Sequence, residues 1–362
     1  MFVINALEHG GAAKVTALIS NGLVDRNHEV FIMTNCIYQK IRYKLDSRII
    51  LLPLIPKNYF AYPRKIRRIY YYFSIRKNIK NVKPDIIIGM MENNYLLAKL
   101  FALGLSIPII ASHHSCFYRD NDSWYKRFIH FFIYPFADAV TILSKCDCDF
   151  LGKRLPKKEV LPNPVEFELS SNKKVRRKTV LVAGRLSAWK IKGFDTIIET
   201  WSRIAKKYPQ WTLEIAGDGN SESMSFLQTL ASMHDVAESV VFLGFCNMVE
   251  IYQSSSIFVL SSRFEGMPLV LMEAMSQSCA CVAFELDGRT NEIISSPDCG
   301  IVVENQNKDE LEKAIVRLIE DEALRDALGK GAKREMARFS KEKITELWES
   351  LFAKVINQKI VL

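Results

Sequence analysis

Two carboxylates eight positions apart, Glu265 and Glu273, are where chemistry first shows in this chain. They belong to Arg263-Phe264-Glu265-Gly266-Met267-Pro268-Leu269-Val270-Leu271-Met272-Glu273, which follows an apolar run and leads into a helical pattern. Pro268 suits a first helical position, where proline's missing N–H costs nothing. A helix start offers free backbone N–H groups and a positive dipole end, a natural seat for phosphate or a developing anion. Glu265 then falls in the loop before the helix and Glu273 one to two turns inside it. Both could accept hydrogen bonds from ligand hydroxyls. The spacing alone would equally describe a solvated loop charge and an ordinary helix residue; the strand before it and the Gly-Met-Pro turn give it weight.

A second group is Gly184-Arg185-Leu186, closing a strand, followed by Lys190-Ile191-Lys192-Gly193-Phe194-Asp195 at a helix start. A guanidinium and an ammonium at one edge suit a pyrophosphate, which arginine grips in bidentate fashion. Lys190 and Lys192 compete for that role, and Lys192, directly before Gly193, is preferred. Gly10-Gly11-Ala12-Ala13 joins the first strand to the first helix, where glycine lets backbone approach a ligand. Gly217 opens a similar turn, Gly217-Asp218-Gly219. His113 and His114 close another strand; neighbouring strand residues face opposite ways, so at most one of the two is expected to face a ligand.

Metal chemistry has little support. Asp147-Cys148-Asp149 reads as a helix start and Asp120-Asn121-Asp122 as a polar loop, and no divalent ion is expected. Eight cysteines form no Cys-x-x-Cys pair and read as reduced, buried thiols. The net charge of +9 is unevenly placed: residues 1–165 hold 24 Lys/Arg against 12 Asp/Glu, and residues 166–362 hold 25 against 28.

Elements that position these residues recur along the whole chain. Short apolar runs alternate with amphipathic stretches, the mark of parallel sheets flanked by helices. The runs are 2–7, 29–34, 49–54, 85–90, 108–113 and 138–143, then 179–186, 211–217, 240–245, 256–262, 280–285 and 300–304. Helical stripes include Ala13–Leu23 and Asp195–Tyr208. Leu161-Pro162-Asn163-Pro164-Val165 and the polar stretch 170–178 mark a linker. The expectation is an α/β chain with two doubly wound, Rossmann-like domains, 1–165 and 166–339, facing one cleft, and a closing helix in 340–362. Ligands of such sheets bind beyond the carboxyl ends of the strands. Met1 to Leu7 lacks a basic flank and reads as a first strand, not a signal peptide. The nearest candidate for a membrane span, Phe128 to Leu143, is interrupted by His130, Pro135 and Asp138.

Together, Gly-Gly-Ala with its helix, Pro-Asn-Pro-Val, Gly-Arg-Leu…Lys-Gly-Phe-Asp, Ala-Gly-Asp-Gly, Phe-Leu-Gly and Glu-Gly-Met-Pro…Glu resemble the family-4 retaining glycosyltransferases of GT-B fold, notably those building bacterial polysaccharides and lipid-linked glycans. The resemblance covers nearly the whole chain. It implies that Glu273 binds the donor ribose and Glu265 the hydroxyls of the transferred sugar. Arg185 and Lys192, with Gly184 and Gly217 beside them, would meet the diphosphate, and the backbone of Gly266, Met267, Pro268 and Leu269 would lie against it. His114 would stand beside the anomeric centre, and the Gly10-Gly11 loop would close on the donor from the other domain. The last helix would cross back to the N-terminal domain. The spacing from Arg185 to Lys192 is two residues longer than the family's usual one, and Ala13 stands where a glutamate is frequent.

The implied activity is transfer of a hexose or N-acetylhexosamine from a nucleotide-sugar, a UDP-sugar by expectation, to a polyprenyl-diphosphate-linked glycan, with no cofactor. From Lys57 to Lys83 the chain has nine Lys/Arg, no acidic residue, and seven tyrosines and phenylalanines. Such a segment, with Arg64, Lys65, Arg67 and Arg68 at its centre, reads as a patch for an anionic membrane surface or a lipid-linked acceptor. The expected location is cytoplasmic, peripheral on the inner face of the membrane. A nucleotide-sugar epimerase of the same fold and a non-catalytic sugar-binding relative are the alternatives. Nucleic acid is excluded as a partner, because the charge is confined to one half and no recognition motif is present.

Overall fold

The structure, a computed structural model, describes residues 1–8, 10–35, 41–55, 63–117, 123–166 and 175–360, with backbone alone for 64–72 and 359–360. The chain divides into two compact units, Met1–Pro164 with Lys341–Leu362, and Val165–Ser340.

The first unit runs β1 (Phe2–Val3), α1 (Gly11–Asp25), β2 (Phe31–Thr34), β3 (Ile50–Pro53), α2 (Arg64–Val82), β4 (Ile87–Met90), α3 (Glu92–Phe101), β5 (Ile109–Ser112), α4 (Trp124–Phe128), β6 (Ala139–Ile142), α5 (Lys145–Leu151) and β7 (Lys158–Val160). Its parallel sheet has the order β3-β2-β1-β4-β5-β6-β7. The central strands are buried along their length, as continuous apolar runs must be when helices cover both faces. Right-handed crossovers place α2, α3 and α4, which all carry the chain towards β7, on one face, and α1, which carries it the other way, on the opposite face.

The second unit runs β8 (Arg177–Ala183), α6 (Trp189–Lys192), α7 (Phe194–Ala205), β9 (Thr212–Ala216), α8 (Ser221–Met233), β10 (Val240–Gly244), α9 (Met248–Ser254), β11 (Ser255–Leu260), α10 (Leu269–Ser276), β12 (Ala280–Phe284), α11 (Arg289–Ile293), β13 (Ile301–Val303), α12 (Lys308–Glu320) and α13 (Glu322–Met336). Its sheet is parallel too, ordered β10-β9-β8-β11-β12-β13. The stripe Ile197, Ile198, Trp201 and Ile204 of α7 is fully buried.

Helix α14 (Lys341–Ile360) belongs to the first unit, against α1. The two helices approach closely at Gly22, where a Cβ would fall 2.2 Å from Thr345 Oγ1. Trp348 is buried and meets Phe2 edge-on at 6.5 Å, while Arg26 pairs with Glu349 at 2.6 Å.

Two doubly wound parallel sheets are thus observed, with each expected apolar run forming a strand somewhat shorter than the run. One strand was not legible: Lys158-Glu159-Val160 is a half-buried edge strand without an apolar run. Pro268 also differs from expectation. Its ψ of 98° is extended, so the helix starts one residue later, and Pro268 caps it with a carbonyl that accepts from Leu271 and Met272.

Candidate functional site

In the second unit the strand order reverses between β8 and β11, the point where an open parallel sheet leaves a crevice at its carboxyl edge. Gly184 and Arg185 leave β8 there, and Ser261 to Glu265 leave β11. Lys192 Nζ donates to Glu265 Oε1 at 2.6 Å, and Ser262 Oγ donates to the same oxygen at 2.7 Å. Oε2 makes no hydrogen bond with a described residue, so it remains available to a ligand hydroxyl. The Lys192 stem passes over Gly184, whose absent side chain makes room: a Cβ would lie 3.2 Å from Lys192 Cγ and Cδ. Gly217 has φ +146°, and a Cβ there would fall 1.8 Å from Gly184 O. Arg185 is exposed and makes no side-chain hydrogen bond or ion pair with a described residue. The Arg185 guanidinium is thus left exposed where the chain leaves β8, while the Lys192 ammonium is held by a carboxylate.

Lys192, not Lys190, is fixed in this group. Ser261 Oγ donates to Lys192 O at 2.9 Å, and Arg263 N donates to Ile191 O at 2.7 Å. Gly193, at φ +66°, lies so close to the β11 loop that a Cβ would fall 1.8 Å from Ser261 O. The Arg263 guanidinium forks onto Asp195 at 2.8 and 2.9 Å and reaches Thr196 Oγ1 at 2.9 Å. Lys190 is exposed, with its amine 5.2 Å from the Trp189 ring centroid. Arg263 was visible in the motif, but nothing in one dimension paired it with Asp195.

The loop Gly266–Pro268 leads to the first turn of α10, with Met267 and Pro268 buried. One turn further in, half-buried Glu273 accepts from Tyr252 Oη at 3.2 Å. Burial, and then the Glu273 charge, push the Tyr252 hydroxyl well above the usual tyrosine range, so it stays a donor. Tyr252 carried no sequence signal, because it lies on α9, remote in the chain.

In the first unit the reversal falls between β1 and β4. Gly10 precedes α1 at φ +97° and Gly11 is its first residue; Tyr43 Oη donates to Gly10 O at 3.2 Å. After β4, Met91 has φ +69° and Glu92 opens α3. β5 ends at Ser112, so the two histidines lie beyond the strand and its alternation does not sort them. His113 is buried, stacked on Phe117 with ring centroids 3.7 Å apart. His114 is half-buried and bonded through Nε2 to Ser112 Oγ at 2.9 Å. Burial lowers His114 to about 4, against partial support from Asn163 and Glu92, and pushes His113 well below the usual histidine range. Both imidazoles are neutral at physiological pH.

Behind His113, buried Glu92 Oε1 lies 3.3 Å from His130 Nε2, 3.6 Å from His113 Nδ1 and 3.9 Å from Lys126 Nζ. Burial opposes the Glu92 charge, but these neighbours outweigh it and hold the carboxyl below its ordinary value. Glu92, His113 and His130 are the three-residue group, among the described residues, whose atoms come near enough to hold a metal ion. With the Lys126 ammonium drawn to the same oxygen, the geometry is that of a hydrogen-bonded buried carboxylate. Asp147 is buried at the start of α5, accepting from Ser144 Oγ and Phe117 N, which makes it a helix-start residue. Asp120 to Asp122 lie outside the described residues, as do the side chains of Arg64, Lys65, Arg67 and Arg68. Among the described residues, no helix is long and apolar enough to cross a membrane.

Residues 166–335 match the family model described as Glycosyl transferases group 1, and residues 9–169 match Glycosyltransferase Family 4. An uncharacterized glycosyltransferase of Haemophilus influenzae is 27% identical over 97% of this chain and 98% of its own length. A Campylobacter jejuni enzyme, GalNAc-alpha-(1->4)-GalNAc-alpha-(1->3)-diNAcBac-PP-undecaprenol alpha-1,4-N-acetyl-D-galactosaminyltransferase, is 26% identical over 98% of both chains. Among solved structures, Anabaena HepE in complex with UDP and glucose shares the fold, with a TM-score of 0.79, 16% identity, and coverage of 97% of this chain and 98% of its own.

Proposed function

The chain belongs to the family-4 glycosyltransferases of GT-B architecture, and from that premise we propose that it transfers a sugar from a UDP-sugar to a lipid-linked glycan, with retention of anomeric configuration. The observation that carries the donor part is the group at the β8–β11 edge: exposed Arg185, Lys192 on Glu265, and the start of α10. The two cations meet the departing diphosphate, assisted by the first-turn amides of α10, and so stabilise charge where it develops. No metal is needed for that role. Glu265 Oε2 takes a hydroxyl of the transferred sugar, and Glu273, held by Tyr252, takes the ribose. The family resemblance assigns the Gly10-Gly11 backbone and neutral His114 to the same reaction. The acceptor hydroxyl attacks from the face the phosphate leaves, with the phosphate taking its proton.

The acceptor part is supported by the Campylobacter relative, whose named substrate carries undecaprenol diphosphate. The UDP choice is supported by the solved neighbour that holds UDP. The enzyme then works in bacterial glycan biosynthesis, peripherally at the cytoplasmic face of the membrane, with the basic sequence around Arg64 to Arg68 contributing its charge to that association. A panel of UDP-, GDP- and ADP-sugars, read by thermal shift and nucleotide release with and without EDTA, tests the donor site. Stabilisation and slow hydrolysis with one UDP-sugar, unchanged by EDTA, is expected. Silence towards every nucleotide-sugar, or a strict need for a metal ion, would overturn it.

A further inference from the structure

On the sheet face that carries α2, α3 and α4, the first unit exposes a row of large apolar side chains. Trp124, Phe128, Phe132 and Phe136 are 79, 48, 63 and 68% exposed. They recur every four residues through α4, a π-turn at Ile129–Ile133 and a 3₁₀ turn at Tyr134–Phe136. A four-residue step drifts by about 40° in an α-helix; the wider π-turn drifts the opposite way, so the row keeps to one side. Phe128 and Phe132 stack at 5.4 Å, while Ile129, His130 and Tyr134 on the other side are buried.

The row does not stand alone. Lys99 on α3 donates to Phe136 O at 2.7 Å, and Tyr125 Oη donates to Asn93 Oδ1 at 2.9 Å, which ties α4 and the following turns to α3. Arg76 on α2 donates to Phe101 O and Leu103 O, both at 2.8 Å, tying α2 to the end of α3. Along that seam Phe73, Leu100 and Leu103 are exposed as well. The stretches 63–84, 93–107 and 123–137 contain no Asp or Glu, while Arg76, Lys77, Lys80, Lys99 and Arg127 fall within them.

Contiguous exposed apolar surface of this kind marks an interaction site. Aromatics interleaved with cations and free of carboxylates complement a bilayer with anionic headgroups, where Trp and Tyr rings sit at the interface and Lys and Arg meet phosphate. We infer that the α2–α3–α4 face of the first unit is a membrane-docking surface, in which Trp124, Phe128, Phe132 and Phe136 enter the headgroup layer of an anionic bilayer. This deepens the membrane part of the proposed function, and its own test involves no turnover.

Full-length protein is mixed with vesicles of phosphatidylcholine alone or with phosphatidylglycerol, and binding is read by flotation. Wild type is expected to float with the anionic vesicles and less so as salt rises. The combined variant Trp124→Ser, Phe128→Ser, Phe132→Ser, Phe136→Ser should lose at least tenfold in vesicle affinity. Its melting and its thermal shift with the donor nucleotide should match wild type, which separates this result from failure of the donor site. Trp124 supplies a second readout, since its fluorescence should shift to the blue on anionic vesicles and be quenched by brominated lipid. No binding by wild type, or equal binding by the folded variant, would overturn the inference. So would a wild-type dimer that the variant abolishes without any vesicle binding, which would make the face a contact between copies.

Discussion

The two units use one sheet plan and spend it differently. At the β8–β11 edge the charged groups are part-exposed: Lys192 and Glu265 side chains are 21 and 14% accessible, and Arg185 is open to solvent. At the β1–β4 edge the charged and titratable groups are turned inward, with Glu92 and His113 almost wholly buried and engaged with one another. The overall charge runs the other way, since the basic surplus lies in residues 1–165. Net charge therefore does not locate the anion site. Local geometry bears on the proposed donor site instead: at a glycine-lined edge of the less basic half, Lys192 is held on Glu265 and Arg185 is left exposed. The inward-turned edge holds neutral histidines around a buried carboxylate, and the open edge leaves a cation exposed.

Arg185→Ala should break the open edge most severely. Loss of one preorganised charge partner of a leaving group costs on the order of 10²–10³ in kcat, and a surface side chain with no partner among the described residues can go without a change in melting temperature. Transfer rates and melting curves check both halves; wild-type turnover would remove Arg185 from the mechanism. Glu92→Gln should act on the inward edge through stability. Replacing a buried charged acceptor costs about 1–3 kcal/mol, read as a lower melting temperature with donor-induced stabilisation retained.

Acidification should separate the units further. The folded values of His113 and His114 lie below the unfolded histidine value of 6.5, so the unfolded state binds more protons in that window. The first unit should lose stability as pH falls from 6.5, and the His114 share should be lost fully near pH 4. Glu92, also lowered, adds a loss as pH falls below 4.5 and through its folded value. Melting curves from pH 7 to 4 should show this slope, and His114→Asn should flatten it. Tyr252→Phe is the mildest change. Removing one hydrogen bond to Glu273 costs about 1 kcal/mol, seen as a several-fold weaker donor affinity with kcat little altered.

Much of the plan was legible in one dimension. Twelve apolar runs became parallel strands because a strand buried on both faces must be apolar throughout, and the Gly184, Gly217 and Gly266 turns follow those strands for the same steric reasons. The half-buried edge strand Lys158–Val160 carried no such run and was invisible. The composition of the site, two glutamates with arginine and lysine, was also readable, since chemistry depends on residue type.

Which members meet was decided only by the fold. Lys192 rather than Lys190 reaches Glu265, because Gly193 packs against the Ser261 carbonyl and Arg263 clamps Asp195, contacts between segments some seventy residues apart. His113 is buried and His114 half-buried, a difference strand alternation does not set because β5 stops at Ser112. The aromatic row from Trp124 to Phe136 was not legible, its later part read only within Phe128 to Leu143 as an interrupted span candidate, since hydrophobicity along a chain cannot tell a buried side from an exposed one. The sheet's crossover handedness, set by backbone chirality, placed that row on the outer layer beside the cations of α2 and α3.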